Sequence, residues 1–261
     1  IRGETIPAGQ VRTTATLSYA GTAALPCNST VTASAPNIVS DTIEVDVAPV
    51  PSITVYAPYY DVGSGLQQRA SFLLGAGNHG GVTVTLTSSD PAALLTPDGA
   101  TAGSASIDMF VADGQTNANF YVQGLEGAQA SVTVTAAAPG FTDGSDDCSI
   151  VQPAVAITGL SADITTLSGD DPFMVQVGVP NNDGSALAQA QQARAGGGGL
   201  TATVANSNAA AGQLVTETLT AQSVTVNIVE GQYRSATTVE TGGVAFDPLA
   251  SGTTTVTAAI E

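Results

Sequence analysis

The sequence predicts an all-β fold built of antiparallel β-sandwiches. Three observations carry this expectation. Short runs alternate apolar and small polar side chains with a period of two. Clusters of Gly, Pro, Asp and Ser separate those runs at the close spacing typical of sandwiches and barrels. The apolar side chains are mostly Val, Ile, Leu and Ala, with 5% aromatic residues and no Trp, so any core is thin and made of small side chains.

The stretch from Ile53 to Gln152 shows the pattern most completely. Val82-Thr83-Val84-Thr85-Leu86-Thr87 opens after the pair Gly80-Gly81, and Ser106-Ile107-Asp108-Met109-Phe110-Val111, Asn119-Phe120-Tyr121-Val122 and Ser131-Val132-Thr133-Val134-Thr135 follow. Successive side chains on a pleated strand leave on opposite faces, so each run buries one set and wets the other. Between them lie Ser88-Ser89-Asp90-Pro91, Pro97-Asp98-Gly99, Asp113-Gly114-Gln115 and Glu126-Gly127. Gly reaches positive φ, Pro presets φ and Asp bonds nearby backbone N–H groups, which is what tight turns require.

Composition narrows the function classes. The chain has 261 residues, enough for two domains of ordinary size, and 43% of them are apolar. Its five basic residues are all Arg, set against 22 acidic ones, for a formal net charge of -17. Nucleic acid and anionic membranes attract clustered positive charge, so this chain is expected to repel both, and nucleic acid is not expected as a partner. No run reaches the roughly 18 apolar residues of a membrane helix, so no membrane span is expected. With no initiating Met and no leader pattern, the chain is expected to be processed or part of a longer protein. Two cysteines are too few for a disulfide framework.

Self-comparison reveals repeats. The turn Pro7-Ala8-Gly9-Gln10 returns as Ala112-Asp113-Gly114-Gln115 and as Val229-Glu230-Gly231-Gln232. Val31-Thr32-Ala33-Ser34-Ala35-Pro36 returns 103 residues later as Val134-Thr135-Ala136-Ala137-Ala138-Pro139, and Gly80-Gly81-Val82-Thr83 returns 118 later as Gly198-Gly199-Leu200-Thr201. Thr133-Val134-Thr135-Ala136-Ala137 returns 122 later as Thr255-Val256-Thr257-Ala258-Ala259. Matches in consistent order at near-constant offsets mark an array of like units. The expected domains are a partial unit over residues 1-48, a complete one over 49-153 and a third over 154-261 that lacks its last strand. The joints Ala48-Pro49-Val50-Pro51 and Gln152-Pro153-Ala154 are expected to be stiff and to stop a sheet from crossing between units, giving a rod. The third unit carries an insertion, Ser185 to Gly199, expected to be a surface loop with a short helical turn in its Ala-, Leu-, Gln- and Arg-rich part.

Thr87-Ser88-Ser89-Asp90-Pro91-Ala92, the Asp113-Gly114-Gln115 turn, Phe120-Tyr121-Val122 and Ala138-Pro139-Gly140-Phe141 resemble the tandem bacterial immunoglobulin-like repeats of large secreted and surface proteins. The resemblance implies tandem immunoglobulin-like sandwiches of about seven strands in two sheets, placement outside the cell or on its surface, and roles as stalks, adhesin shafts or filament subunits. The chain departs from antibody-type domains in lacking the paired Cys and core Trp.

Few residues suggest chemistry. The one His, His79, lies in the turn Gly77-Asn78-His79-Gly80-Gly81 and reads as an exposed polar residue; no catalytic triad can be assembled, and the chain is not expected to be an enzyme. Asp143, Asp146 and Asp147 fall within five residues beside a joint, which suits calcium, although a solvated Asp turn explains them more simply. Asp170-Asp171 and Asn181-Asn182-Asp183 are weaker versions of the same signal. Asn28-Ser29-Thr30 meets the spacing for N-glycosylation of Asn28. Tyr56, Tyr59 and Tyr60 form the one aromatic cluster and suit an inter-domain or inter-subunit contact, or stacking on a carbohydrate.

The expected function is therefore structural: an extracellular homo-polymeric filament whose units complete one another by strand or edge addition. The alternative is an adhesin shaft with calcium- or carbohydrate-binding loops. Residues 1-48 are expected to supply three strands, with Val11, Ala15, Leu17, Val31, Ile43, Val45 and Val47 needing a partner to cover them. Cys27 and Cys148 are expected not to bond to each other.

Overall fold

The computed structural model describes residues 5–17 and 25–260, and they form an all-β structure without an α-helix. The chain separates into two compact units, Ile1–Val50 and Pro51–Glu261.

In the first unit β1 (Cys27–Ala35) and β2 (Ile38–Val47) form an antiparallel hairpin. Asn37, at φ 64°, makes its two-residue turn, a conformation Asn tolerates better than most residues. Cys27 faces Val47, Ser29 faces Val45 and Val31 faces Ile43, so one face of the ribbon is largely apolar. Ile43 is 65% exposed. In place of the third strand that the apolar positions predict, residues 5–17 form no strand, and Val11 lies almost fully in solvent.

The second unit contains two apolar cores. Sandwich I comprises β3 (Ile53–Tyr56), β4 (Val62–Gly63), β5 (Leu66–Leu74), β6 (Val82–Ser88), β7 (Ala93–Thr96), β8 (Ser106–Val111), β9 (Asn117–Gly124), β10 (Ala130–Ala137) and β11 (Gly144–Val151). One sheet runs β4-β11-β10-β6-β8 and the other joins β3, β5, β9 and β7. Phe72, Leu86, Leu95, Phe120, Val134 and Ile150 fill the space between them.

Sandwich II comprises β12 (Ala154–Thr158), β13 (Asp171–Pro180), β14 (Leu187–Ala190), β15 (Gln192–Ala193), β16 (Leu200–Asn206), β17 (Gly212–Val215), β18 (Thr220–Ala221), β19 (Ser223–Ile228), β20 (Val244–Pro248) and β21 (Val256–Ile260). Its sheets are ordered β12-β13-β20-β17-β18 and β19-β16-β21.

The registers coincide between the sandwiches at the offsets seen in the sequence. Val82 faces Val111 and Leu86 faces Ile107, as Leu200 faces Ile228 and Val204 faces Val224. Val134 faces Ser88 as Val256 faces Asn206. Thr133 N–H donates to Ser89 Oγ at 2.9 Å and Thr255 N–H to Ser207 Oγ at 2.9 Å. The β1–β2 hairpin matches β10–β11 in the same way, since Val31 faces Ile43 as Val134 faces Asp146. The three Gly-Gln turns are also alike: the N–H groups of Gln10, Gln115 and Gln232 donate to the carbonyls of Pro7, Ala112 and Val229, each at 3.0 Å. Gly9, Gly114 and Gly231 sit at φ 84°, 85° and 74°, where a side chain would be strained. Like turns set like registers, because a one-residue slip would turn every buried side chain out to water.

Candidate functional site

The joint between the two sandwiches carries a network of buried polar side chains, and the segment from Ser185 to Gly199 builds much of it. Ser185–Gly199 is neither the surface loop with a helical turn nor the sheet-free joint that its composition and the flanking prolines predict. Both expectations are corrected. β14 pairs with β13, and β15 then leaves sandwich II to pair with β5 of sandwich I, Gln192 opposite Gln67 and Ala193 opposite Leu66. Helix propensity of a fraction of a kcal/mol per residue is overridden here by backbone pairing and by side chains that find partners in sandwich I.

Those partners are specific. Gln191 is buried: its Nε2 donates to Asp61 O at 2.6 Å and its Oε1 accepts from Gly63 N–H at 2.9 Å. Arg194, 8% exposed, makes a two-point contact with Glu126, from Nε to Oε1 at 2.8 Å and from Nη2 to Oε2 at 2.6 Å. Its backbone N–H donates to Gly65 O at 2.9 Å. Gln67 Nε2 donates to Gly99 O at 2.7 Å, while its Oε1 accepts from Gln123 Nε2 at 2.9 Å and from Ala195 N–H at 3.3 Å. Gln123 Oε1 accepts from Gly103 N–H at 2.9 Å. Every polar arm of Gln67 and Gln123 thus has a partner, as buried amides require. Apolar packing reinforces this network, for Leu66 is fully buried in the core of sandwich II with Phe173, Val204 and Ile228 although it belongs to β5.

Charge is arranged accordingly. Burial pushes the Glu126 carboxyl up, but the hydrogen bonds and positive charge of Arg194 outweigh this and hold it below the ordinary glutamate range. The run Gly196–Gly199 wraps a carboxylate of the protein itself: Gly198 N–H donates to Glu230 Oε1 at 2.6 Å, and the backbone N–H groups of Gly198 and Gly196 hold the Glu230 carboxyl below its ordinary range. Successive N–H groups of a glycine run form an anion nest, and here it is filled from within.

The residues singled out from the sequence lie elsewhere. Asp146 and Asp147 are neighbours on β11 and so leave on opposite faces. Asp146 Oδ2 accepts from Ala57 N–H at 2.9 Å, whereas Asp147 Oδ1 accepts from Thr133 Oγ1 at 2.6 Å. Asp143 precedes the strand and is exposed. Among the described residues no three His, Cys, Asp or Glu side chains are grouped to hold a metal ion. Asp171 Oδ2 accepts from Ser161 N–H at 2.7 Å, and Asp183 caps its turn through Ser185.

Tyr59 is 91% exposed and meets Tyr60 edge-on with ring centroids 4.9 Å apart, while Tyr56 is half exposed on β3. Asn28 is exposed on β1 opposite Asp46. His79 Nδ1 accepts from Gly81 N–H at 3.2 Å, so its proton sits on Nε2, which donates to Gln115 O at 2.9 Å. Both ring nitrogens are used to tie two turns together. Cys27 and Cys148 are free. Burial, followed by the nearby carboxylates of Asp146, Asp147 and Asp61, pushes the Cys148 thiol up to about 11.

Sequence reasoning missed Gln67, Gln123, Gln191, Arg194 and Leu66. A faint signal existed in Gln67-Gln68, a polar pair inside an apolar strand, and in Arg194, one of only five basic residues, placed between Ala193 and Ala195.

No protein-family model matches the chain, and no curated protein sequence matches it. Among solved structures, a β-glucuronidase from glycoside hydrolase family 2 aligns over 88% of this chain and 30% of its own, with 11% identity and a TM-score of 0.29. The secreted serine protease VesC from Vibrio cholerae aligns over 80% of this chain and 51% of its own, with 10% identity and a TM-score of 0.22. The chain thus spans well under two thirds of either structure.

Proposed function

We propose that this chain is a segment of an extracellular structural filament made of tandem immunoglobulin-like repeats, in which neighbouring copies complete one another by strand or edge addition. The observation that carries the reading is the joint: Leu66 enters the core of the next sandwich and Arg194 grips Glu126, so two sandwiches behave as one body. A stalk or fibre transmits force only if its joints are stiff. Coinciding registers in β6–β8 and β16–β19, together with the matching hairpins β1–β2 and β10–β11, support descent from one repeated unit. The exposed Val39 and Ile43 of the β1–β2 hairpin support completion by a neighbour, since covering a wet Val or Ile side chain is worth about 1.5–3 kcal/mol.

The test is to express residues 1–261 and follow assembly by light scattering and electron microscopy. Ordered fibres that grow with concentration support the proposal, and a strictly monomeric chain at all concentrations overturns it. A second reading, a carbohydrate-binding shaft, draws on the exposed ring of Tyr59 beside Tyr60 as a stacking platform. A glycan array separates the two, with hits that vanish in Tyr59→Ala favouring the shaft.

A further inference from the structure

One sheet face of sandwich I carries side chains that its fold does not use. On the sheet of β3, β5, β9 and β7, Val55, Ala70, Phe72, Phe120 and Val122 fill the core. Tyr56, Arg69, Ser71, Asn119 and Tyr121 alternate with them and therefore leave on the outer side. Tyr56 faces Ser71 and Ser71 faces Asn119 in one row, and Arg69 faces Tyr121 in the next. Strands about 4.8 Å apart set Tyr56 and Asn119 about 10 Å from each other. Tyr56, Arg69 and Asn119 are exposed, and Ser71 and Tyr121 are half-buried. The Tyr121 ring is fixed in place, because it lies so close to Gly99 that an added Cβ there would come within 3.0 Å of it. That turn is itself anchored: Gly99 O accepts from Gln67 Nε2 at 2.7 Å, and Asp98 Oδ1 accepts from the N–H groups of Ala100 and Thr101 at 2.9 and 3.0 Å.

Sandwich II shows what the same fold needs at these positions. Thr158 faces Met174 as Tyr56 faces Ser71, and Pro172 faces Ala245 as Arg69 faces Tyr121. The pair Phe173–Val244 matches Ala70–Phe120, which puts Gly243 in the place of Asn119. In sandwich II the chain also covers part of this face itself. A Cβ on Gly243 would lie 2.7 Å from the carbonyl oxygens of Ala236 and Thr238, and Ala245 is 1% exposed. Under a cover of protein, then, the positions are small. Sandwich I leaves the face open and places two tyrosines, an arginine and an asparagine on it.

The arginine is also unpaired. Among the described residues the one ion pair is Arg194 with Glu126 and the one cation–π contact is Arg234 on Tyr233, so Arg69 takes part in neither, in a chain with 22 acidic residues. A guanidinium held free on a strand matches a planar carboxylate through two parallel hydrogen bonds.

We propose that this face binds a saccharide carrying a single carboxylate. Arg69 pairs with the carboxylate, Asn119 and Ser71 exchange hydrogen bonds with ring hydroxyls, and Tyr56 and Tyr121 offer apolar ring surface to the C–H faces of the sugar. A peptide strand is a poorer occupant, because strand addition needs the free N–H and C=O groups of a sheet edge, and on a face those groups are spent in the ladder. A polyanion is a poorer one too, since the net charge of -17 repels it as a whole while one carboxylate meets Arg69 locally. The inference takes its ligand class from the carbohydrate-binding reading but not its site, which lies on the strands rather than at Tyr59 and Tyr60.

The test uses the full chain on an array of oligosaccharides ending in a hexuronic or sialic acid, each beside its neutral counterpart, with oligo-aspartate and heparin as further probes. Titration calorimetry follows on the hits. The expected result is binding of the single-carboxylate sugars at least about tenfold tighter than their neutral counterparts. Arg69→Ala should lower that affinity by about tenfold or more, and Asn119→Ala and Tyr56→Ala should also weaken it. All three changes are at exposed positions, and an unchanged urea midpoint checks that each variant is folded. Equal binding of acidic and neutral sugars, or an unchanged affinity in Arg69→Ala, overturns the proposal. Tighter binding of oligo-aspartate or heparin than of any sugar overturns it as well and assigns the face to a peptide or a polyanion. Binding lost in Tyr59→Ala and kept in Arg69→Ala overturns this face while the carbohydrate-binding reading stands, whereas no sugar binding at all defeats both.

Discussion

Arg194 and Glu126 are 68 residues apart in the chain and meet through two parallel hydrogen bonds of 2.8 and 2.6 Å, with Arg194 almost wholly buried and Glu126 about half exposed. This asymmetry decides what the pair is worth. Removing the buried partner of a fully buried pair strands a charge and costs several kcal/mol. Here the remaining Glu126 can turn to water. Arg194→Ala is therefore expected to cost about 2 kcal/mol, the scale of charged hydrogen bonds, and to split one denaturation transition into two as the sandwiches uncouple. Arg194→Lys should recover little, because an ammonium cannot reproduce the planar fork. Urea unfolding monitored separately in each sandwich checks both outcomes.

The same pair predicts a pH dependence. Glu126 has its folded-state carboxyl held below the ordinary value of 4.5, so the unfolded chain binds the proton more readily. Its contribution is fully present above pH 4.5 and is lost as pH falls through the lower folded value. Melting curves from pH 6 down to pH 3 should show the joint weakening only below about 4.5. Glu126→Gln should show a shallower acid decline than the parent, and an identical decline would refute the assignment.

Leu66 offers a purely apolar test of the joint. Leu66→Ala is expected to cost about 2–5 kcal/mol, since a fully buried leucine leaves a cavity behind. Because Leu66 packs with Val204 and Ile228, the loss should appear as faster amide exchange in β16 and β19 of sandwich II, although the mutation lies in a strand of sandwich I. Exchange changes confined to β5 and β9 would contradict this.

Gly114 and Gly231 test the repeated turn. A Cβ at either position meets nothing within 4 Å, so only the left-handed backbone opposes substitution. Ala at each should cost about 1 kcal/mol, and the double variant should show the simple sum, as expected for distant sites. A marked departure from additivity, measured by chemical denaturation, would count against two independent copies of one turn.

The cysteines should differ in reactivity. With its thiol pushed up to about 11 by burial and neighbouring carboxylates, Cys148 holds only about one part in a thousand as thiolate at pH 8. Iodoacetamide is expected to label Cys27 in the native chain and Cys148 only after denaturation, as read by peptide mass spectrometry. Equal native labelling would show that β11 does not stay closed.

By itself the sequence determined the alternating strands and the turns of the central stretch, because both are local properties, but not residues 5–17, which form no strand, or Leu187–Ala193, which pair as β14 and β15. Val82-Thr83-Val84-Thr85-Leu86 alternates on any pleated strand, Gly114-Gln115 and Gly231-Gln232 make like turns wherever they occur, and the repeat offsets carried pairings such as Val82 with Val111 onto Leu200 with Ile228. Only the tertiary structure decided which polar residues are buried together. Gln67, Gln191 and Arg194 have no periodic signature, and their side-chain partners across the joint network lie 32 to 130 residues away. The Asp cluster shows the converse: Asp146 and Asp147 are adjacent in sequence, yet strand alternation sends them to opposite faces and to different donors. Leu66 reads as an ordinary strand leucine, and its burial in the neighbouring core depends on β15 closing over β5. Periodicity reports which face of a strand is dry, but the identity of what covers that face is set by the long-range packing of other strands.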